Sequence, residues 1–145
     1  MKTRSFTLLL GACWTVTALP RVMGQPPAAP SVLAGAYTEE QAIRGRALYY
    51  EHCLLCHGET MAGVDKSPPL AGPQFGSTWD GAPLGALVAR ILAMPPEKPG
   101  SLSREESVDI LAYILWYNGL PLGDAPLASG QDVLGQMTFQ NPPLQ

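Results

Sequence analysis

The 145-residue chain carries 9 basic and 12 acidic residues, a formal net charge of −3, and 3 cysteines. It is long enough for one small domain plus extensions. Its acidic balance argues against nucleic acid as a partner, and its few cysteines exclude a disulfide-built scaffold.

Lys2 and Arg4 precede an apolar run from Phe6 to Leu19, and Val22-Met23-Gly24 offers small residues at the positions a signal peptidase reads. Residues 1–24 are therefore expected to be a secretory signal peptide, cut before Gln25, which makes the protein periplasmic. The run is too short for an ordinary membrane span. Two other readings stay open: an uncleaved anchor, and lipidation at Cys13 within Leu10-Gly11-Ala12-Cys13. Cleavage before Gln25 removes Lys2, Arg4 and Arg21, leaving six basic against twelve acidic residues, a formal charge of about −6.

Residues 25–37, rich in Pro and Ala, are expected to be a mobile linker. Structure is expected to begin at Thr38. Thr38-Glu39-Glu40-Gln41 reads as a capping box, and its two glutamates suit the positive end of a helix dipole. Ala42, Ile43, Ala47, Tyr50 and Leu54 continue a helical pattern. Gly45 interrupts it at a cost of about 1 kcal/mol against Ala, a cost that close approach of another helix would justify. Tyr49 lies one turn further on the same face.

Cys53-Leu54-Leu55-Cys56-His57 follows. This is the C-x-x-C-H pattern of c-type haem attachment: two sulfurs reach the vinyl groups of one porphyrin edge, and His57 can lie under the iron. A four-ligand structural zinc site needs more than this stretch, and only Cys13, expected to leave with the signal peptide, and His52 remain as other Cys or His residues. A redox dithiol would sit in a βαβ context, which is absent from the pattern.

Gly58 to Ser77 is punctuated by Gly and Pro and reads as a long loop, a length that wrapping a cofactor would explain. Phe75 and, just beyond the loop, Trp79 are the large residues available to cover the ring, with ordinary core packing the alternative for Phe75. Pro83 suits the start of a short helix, Leu84 to Leu92, ended by Met94-Pro95-Pro96. Ser103-Arg104-Glu105-Glu106 is a second capping box and opens the strongest helix, Ser103 to Asn118, which Gly119 stops. Val108, Leu111, Ala112, Leu115 and Trp116 form its main stripe. Residues 124–145 read as an extended tail with apolar pieces able to dock.

A haem held by one histidine has a second axial position, and its occupant separates carriers from ligand binders and enzymes. Met61, Met94, Met137 and His52 are the choices. His52 stands on the wrong side, Met61 is too close in sequence, and Met137 lies in the tail. Met94 has chain enough to return on the opposite face, and Pro95 and Pro96 restrict its loop. Core filling is the alternative for any of these methionines. No general base and no small-molecule substrate cavity is apparent, so no catalytic residue is assigned.

Together these residues resemble the class I c-type cytochromes, over about Thr38 to Gly123. The matches are Cys53, Cys56 and His57; Gly45 with Tyr49; Ile110 and Tyr113; and Met94 as distal ligand. The resemblance implies an all-α fold (residues 38–123) around one covalent haem c, and a carrier of single electrons rather than an enzyme. It also implies that the Pro68 carbonyl accepts the second ring N–H of His57, with Pro69 an adjacent alternative. Pro69 to Phe75, Trp79, Met94-Pro95-Pro96, Ala112 to Leu115 and Asn118-Gly119 further resemble the cytochromes that accompany PQQ-dependent quinoprotein alcohol dehydrogenases. That resemblance implies redox-protein partners: such a dehydrogenase as donor, a membrane oxidase or other cytochrome as acceptor, and Trp79 near a haem propionate. A gas-binding sensor or haem enzyme with a labile distal ligand, and a structural haem subunit of a redox complex, are the alternatives.

Overall fold

The structure, a computed structural model, describes residues 30–142. The expected signal peptide, the lipidation motif at Cys13 and the first part of the expected linker lie outside the described residues.

The architecture is all-α. Helices run over Glu39–His52 (α1), Leu54–His57 (α2), Gly72–Trp79 (α3), Leu84–Leu92 (α4), Arg104–Tyr117 (α5) and Gln131–Gln136 (α6). Extended pairing among the described residues is confined to isolated bridges, Ser31 with Thr138 and Pro83 with Thr138. None of the described helices is long and apolar enough to cross a membrane.

Both long helices start on the capping residues read from sequence. Ser103 and Glu106 exchange side-chain and backbone hydrogen bonds in a full capping box at α5. At α1 only half of the expected box forms: the Thr38 hydroxyl accepts from the Gln41 N–H at 3.3 Å. The Gln41 side chain does not reach back. Its carboxamide pairs with the backbone of Leu127, donating at 3.1 Å and accepting at 2.7 Å, and is almost fully buried. A buried amide left unpaired costs about 1–3 kcal/mol, so the long-range pairing outcompetes the local one.

α1 crosses α5 at Gly45. A Cβ there would overlap the Asp109 carbonyl and lie 3.1 Å from the Ile110 nitrogen. One turn on, Tyr49 packs edge-on against Tyr113, ring centroids 5.4 Å apart. The buried face of α1 is thus Gln41, Ala42, Gly45 and Tyr49, while Ile43 and Tyr50, expected inside, are exposed. The sequence stripe tracked apolar residues; the contact is instead made through the glycine. Beside the crossing Arg44 donates twice to Asp109, at 2.8 and 3.0 Å, but it is largely exposed and adds little stability. α5 buries Val108, Ile110, Leu111, Ala112, Ile114 and Leu115, and leaves Trp116 at the surface. α4 packs on α5 through Leu84, Leu87 and Val88 and is covered in turn by α6.

Three stretches differ from expectation. The expected linker is packed structure from Ser31 onward: Val32–Ala34 forms a 3-10 turn, and Val32 and Tyr37 are fully buried. The expected loop from Gly58 to Ser77 ends in helix α3. Pro73 starts that helix rather than breaking it, because the first-turn N–H it lacks has no helical partner anyway. The tail contains α6 and straps the domain. Tyr37 donates to the Leu120 carbonyl at 2.6 Å, Gly123 donates to the Tyr37 carbonyl at 2.7 Å, and buried Phe139 stands edge-on to Phe75 at 5.5 Å.

Gly45→Ala should destabilise the protein by about 3 kcal/mol or more in chemical denaturation, since backbone must move to admit the methyl. Burial raises the Tyr37 pKa from 10.0 to about 12. The unfolded chain therefore loses this proton first, and stability present below pH 10 should fall as pH rises from 10 towards 12. Tyr37→Phe should flatten that part of the alkaline decline, at a cost of about 1 kcal/mol at neutral pH for the lost hydrogen bond.

Candidate functional site

α1 ends where the cysteine motif begins. The Cys53 N–H still reaches the Tyr49 carbonyl at 2.8 Å, and the single turn α2 then forms as His57 N–H bonds to the Cys53 carbonyl at 2.9 Å. Gly58 ends that turn at φ +73, in the left-handed region that favours glycine. The chain then doubles back on the motif: Gly63 N–H donates to the His57 carbonyl at 3.0 Å and Val64 N–H to the Cys56 carbonyl at 2.9 Å. Leu70 N–H closes the loop on the Met61 carbonyl at 2.8 Å. Buried Tyr49 donates its hydroxyl to the Gly58 carbonyl at 2.8 Å, pinning the end of α2 to the crossing.

This folded loop brings the Pro68 carbonyl to 3.0 Å from His57 Nδ1. A carbonyl can only accept, so Nδ1 carries the proton and Nε2 keeps its lone pair. Burial lowers the His57 pKa, with the bond to Pro68 acting the other way, so the ring is held neutral near pH 7. A neutral imidazole, oriented through one nitrogen, is a metal ligand through the other.

Cys53 and Cys56 are unpaired thiols. Cys53 packs against the core, and burial, with Cys56 as the lesser cause, pushes its thiol up to about 11. Cys56 is exposed, and Leu55 between them is 91% exposed. Among the described residues no group of three or more His, Cys, Asp or Glu could hold a bare metal ion, so the zinc reading lacks ligands there.

The candidate distal residues separate by burial. Met61 is fully buried core, Met137 packs against the core, and exposed His52 stands 3.7 Å from Glu51. Met94 is half-buried and outside the apolar cluster, in the turn after α4 where its N–H bonds to the Ile91 carbonyl. Core filling accounts for Met61 and Met137 but not for Met94. Trp79 closes α3, half-buried and tilted against Phe75 at 6.4 Å. Cys53, Cys56, His57 and Pro68 are thus gathered by one local fold, while Trp79 and Met94 come on separate elements.

Asn118 was given no structural role from sequence, where it stands as the last residue of the helix that Gly119 stops and, with Gly119, as part of the resemblance. Its side chain accepts from Gly72 N–H at 3.0 Å and donates to the Leu70 carbonyl at 2.9 Å, tying α5 to the loop that carries Pro68. The hydroxyl bond of Tyr49 was equally hidden, since an aromatic at that position is explained by packing alone.

Residues 40–114 match the family model for cytochrome c oxidase, cbb3-type, subunit III. Over 85 residues the chain is 34% identical to a thiosulfate dehydrogenase of Allochromatium vinosum, covering 53% of this chain and 32% of that protein. The chain therefore spans about a third of the length of that relative. A solved structure of the sulfane dehydrogenase SoxCD from Paracoccus pantotrophus superposes with a TM-score of 0.54 at 24% identity, covering 86% of this chain and 66% of that one. At that identity the similarity is one of fold.

Tyr49→Phe should cost about 1 kcal/mol through the lost bond to Gly58, while Tyr49→Ala should cost about 3–5 kcal/mol through the emptied contact with Tyr113. Equilibrium unfolding of the two variants beside the unmutated protein measures both.

Proposed function

The chain belongs to the cytochrome family of the cbb3-type oxidase subunit III, and from that premise we propose that it is an exported single-electron carrier holding one covalent haem c. A cytochrome domain of this family implies haem c, and the residues present fit it. Two unpaired thiols precede an imidazole whose Nε2 is left available by the bond from Nδ1 to Pro68. Leu54, Leu70, Trp79, Ile91 and Leu92 offer half-covered apolar surface beside the core, of the kind a flat apolar macrocycle buries. In this reading Cys53 and Cys56 would hold the haem through thioethers, and His57 and Met94 would ligate its iron. When bound, the group supplies a reversible one-electron change at iron. The chain keeps His57 oriented through the Pro68 carbonyl, supplies a thioether at Met94 and shields the site with apolar residues. The observation that carries the reading is the hydrogen bond between His57 Nδ1 and the Pro68 carbonyl.

Periplasmic location rests on the leader-like residues 1–24. For the partner, we propose a dehydrogenase that passes electrons to this domain, with an oxidase or another cytochrome downstream. The motifs around Pro69–Phe75, Trp79 and Met94–Pro96 favour a quinoprotein alcohol dehydrogenase as donor. The thiosulfate dehydrogenase relative favours an enzyme oxidising sulfur compounds instead. Mixing the oxidised protein with each class of enzyme and its substrate separates the two.

The carrier reading is tested by absorption spectra of the exported protein, oxidised and reduced, with and without carbon monoxide. A low-spin c-type spectrum indifferent to carbon monoxide is expected. Met94→Ala should admit carbon monoxide in the reduced state and lower the potential by on the order of 0.1 V, within the range of about 0.8 V that axial ligands command. Carbon monoxide binding by the unmutated protein would overturn the carrier in favour of a sensor or haem enzyme.

A further inference from the structure

We propose that Asn118 is a positioning residue that holds the Pro68 carbonyl against His57 and so sets the reduction potential of the centre. The inference rests on the haem reading above, with His57 as axial ligand.

Asn118 stands at the end of α5 and makes three side-chain hydrogen bonds. Nδ2 donates to Ile114 O at 2.8 Å and to Leu70 O at 2.9 Å, and Oδ1 accepts from Gly72 N–H at 3.0 Å. A residue serving only to end its helix would satisfy that helix's own carbonyls. Two of these three bonds instead reach back 46 and 48 residues, to Gly72 at the start of α3 and to Leu70 in the loop before it.

The grip is transmitted to Pro68 by the stiffness of the chain between. Between the Pro68 and Leu70 carbonyls the Pro69 ring fixes one torsion, φ of Pro69, and the bond from Leu70 N–H to the Met61 carbonyl restrains the next residue. Only two residues separate the Pro68 carbonyl from the Leu70 carbonyl that Asn118 holds. On the other side the loop is anchored by Leu70 N–H on Met61 and by Gly63 N–H on the His57 carbonyl. The acceptor of the His57 bond is therefore clamped between the cysteine motif and α5.

That bond has an electronic consequence. Donation from Nδ1–H to a carbonyl raises the basicity of Nε2, and a more basic ligand favours the oxidised metal. Loosening the clamp should weaken the bond and raise the reduction potential.

The test uses the holoprotein made in a host that attaches haem c, as the unmutated chain and as Asn118→Ala. Two quantities are read: the potential by redox titration, and solvent exchange of the His57 Nδ1–H proton by NMR of the reduced, diamagnetic protein. The expected result is a higher potential and faster exchange in Asn118→Ala, with the low-spin spectrum kept. If Asn118→Ala fails to fold, Asn118→Ser, whose hydroxyl can still bond the Ile114 carbonyl, is measured in the same two ways. Lower thermal stability with both quantities unmoved would make Asn118 merely structural and overturn the inference alone. An unmutated holoprotein without a His/Met low-spin spectrum would overturn the haem-ligand reading and this inference with it, so the two failures are told apart before any variant is measured.

Discussion

Between α1 and α5 there is no room for a side chain at position 45. The Asp109 carbonyl occupies the place a Cβ would take, so the two helix backbones meet directly. Everything that forms the site hangs from this contact. One strand of dependence runs along α1 through Tyr49 to Cys53 and the turn that presents His57. The other runs along α5 to Asn118 and back to the loop that presents Pro68. The His57–Pro68 hydrogen bond joins the two ends and closes the ring. A glycine that weakens its own helix by about 1 kcal/mol thus makes possible a contact on which a far larger part of the structure rests.

The ring explains how a segment with little regular structure can hold a site. The stretch from Gly58 to Ala71 forms no helix or ladder among the described residues, yet its backbone is fastened at His57, Cys56, Met61 and Asn118. Positioning is achieved by a few hydrogen bonds and two adjacent prolines, each of which removes a degree of freedom from the loop. In the proposed one-electron carrier such rigidity would be functional: the less the ligands move between redox states, the smaller the rearrangement that accompanies each transfer.

What was legible from sequence was local. The cysteine-histidine motif, the caps at Thr38 and Ser103, and helix α4 each lie within one or two turns of chain, where residue chemistry dictates conformation. Glycine at 45 pointed to a close helix crossing because nothing in its own helix accounts for it. What escaped notice depends on partners distant in sequence: Gln41 with Leu127, Tyr37 with Leu120, Asn118 with Leu70. A glutamine three residues after a threonine looks like a capping partner until another chain segment offers it a full amide pair. Helix α3 was hidden because Gly72 and Pro73 look like a break, although proline is well suited to a first turn. Among the methionines, sequence spacing nominated Met94, but only burial separates it from Met61 and Met137 as a residue the core does not explain.

The bridge between Ser31 and Thr138 is parallel, with Val32 N–H bonded to Thr138 O and Thr138 N–H to Pro30 O. The two paired segments therefore run the same way, so Pro30 and Phe139 lie at opposite ends of one short seam. Tension applied between Pro30 and Phe139 would pull the two segments past each other along their lengths. Such shear loads both hydrogen bonds together instead of opening them one at a time. The same seam, with Val32 and Phe139 buried beside it, would thus resist a pull along the chain better than a pull across it.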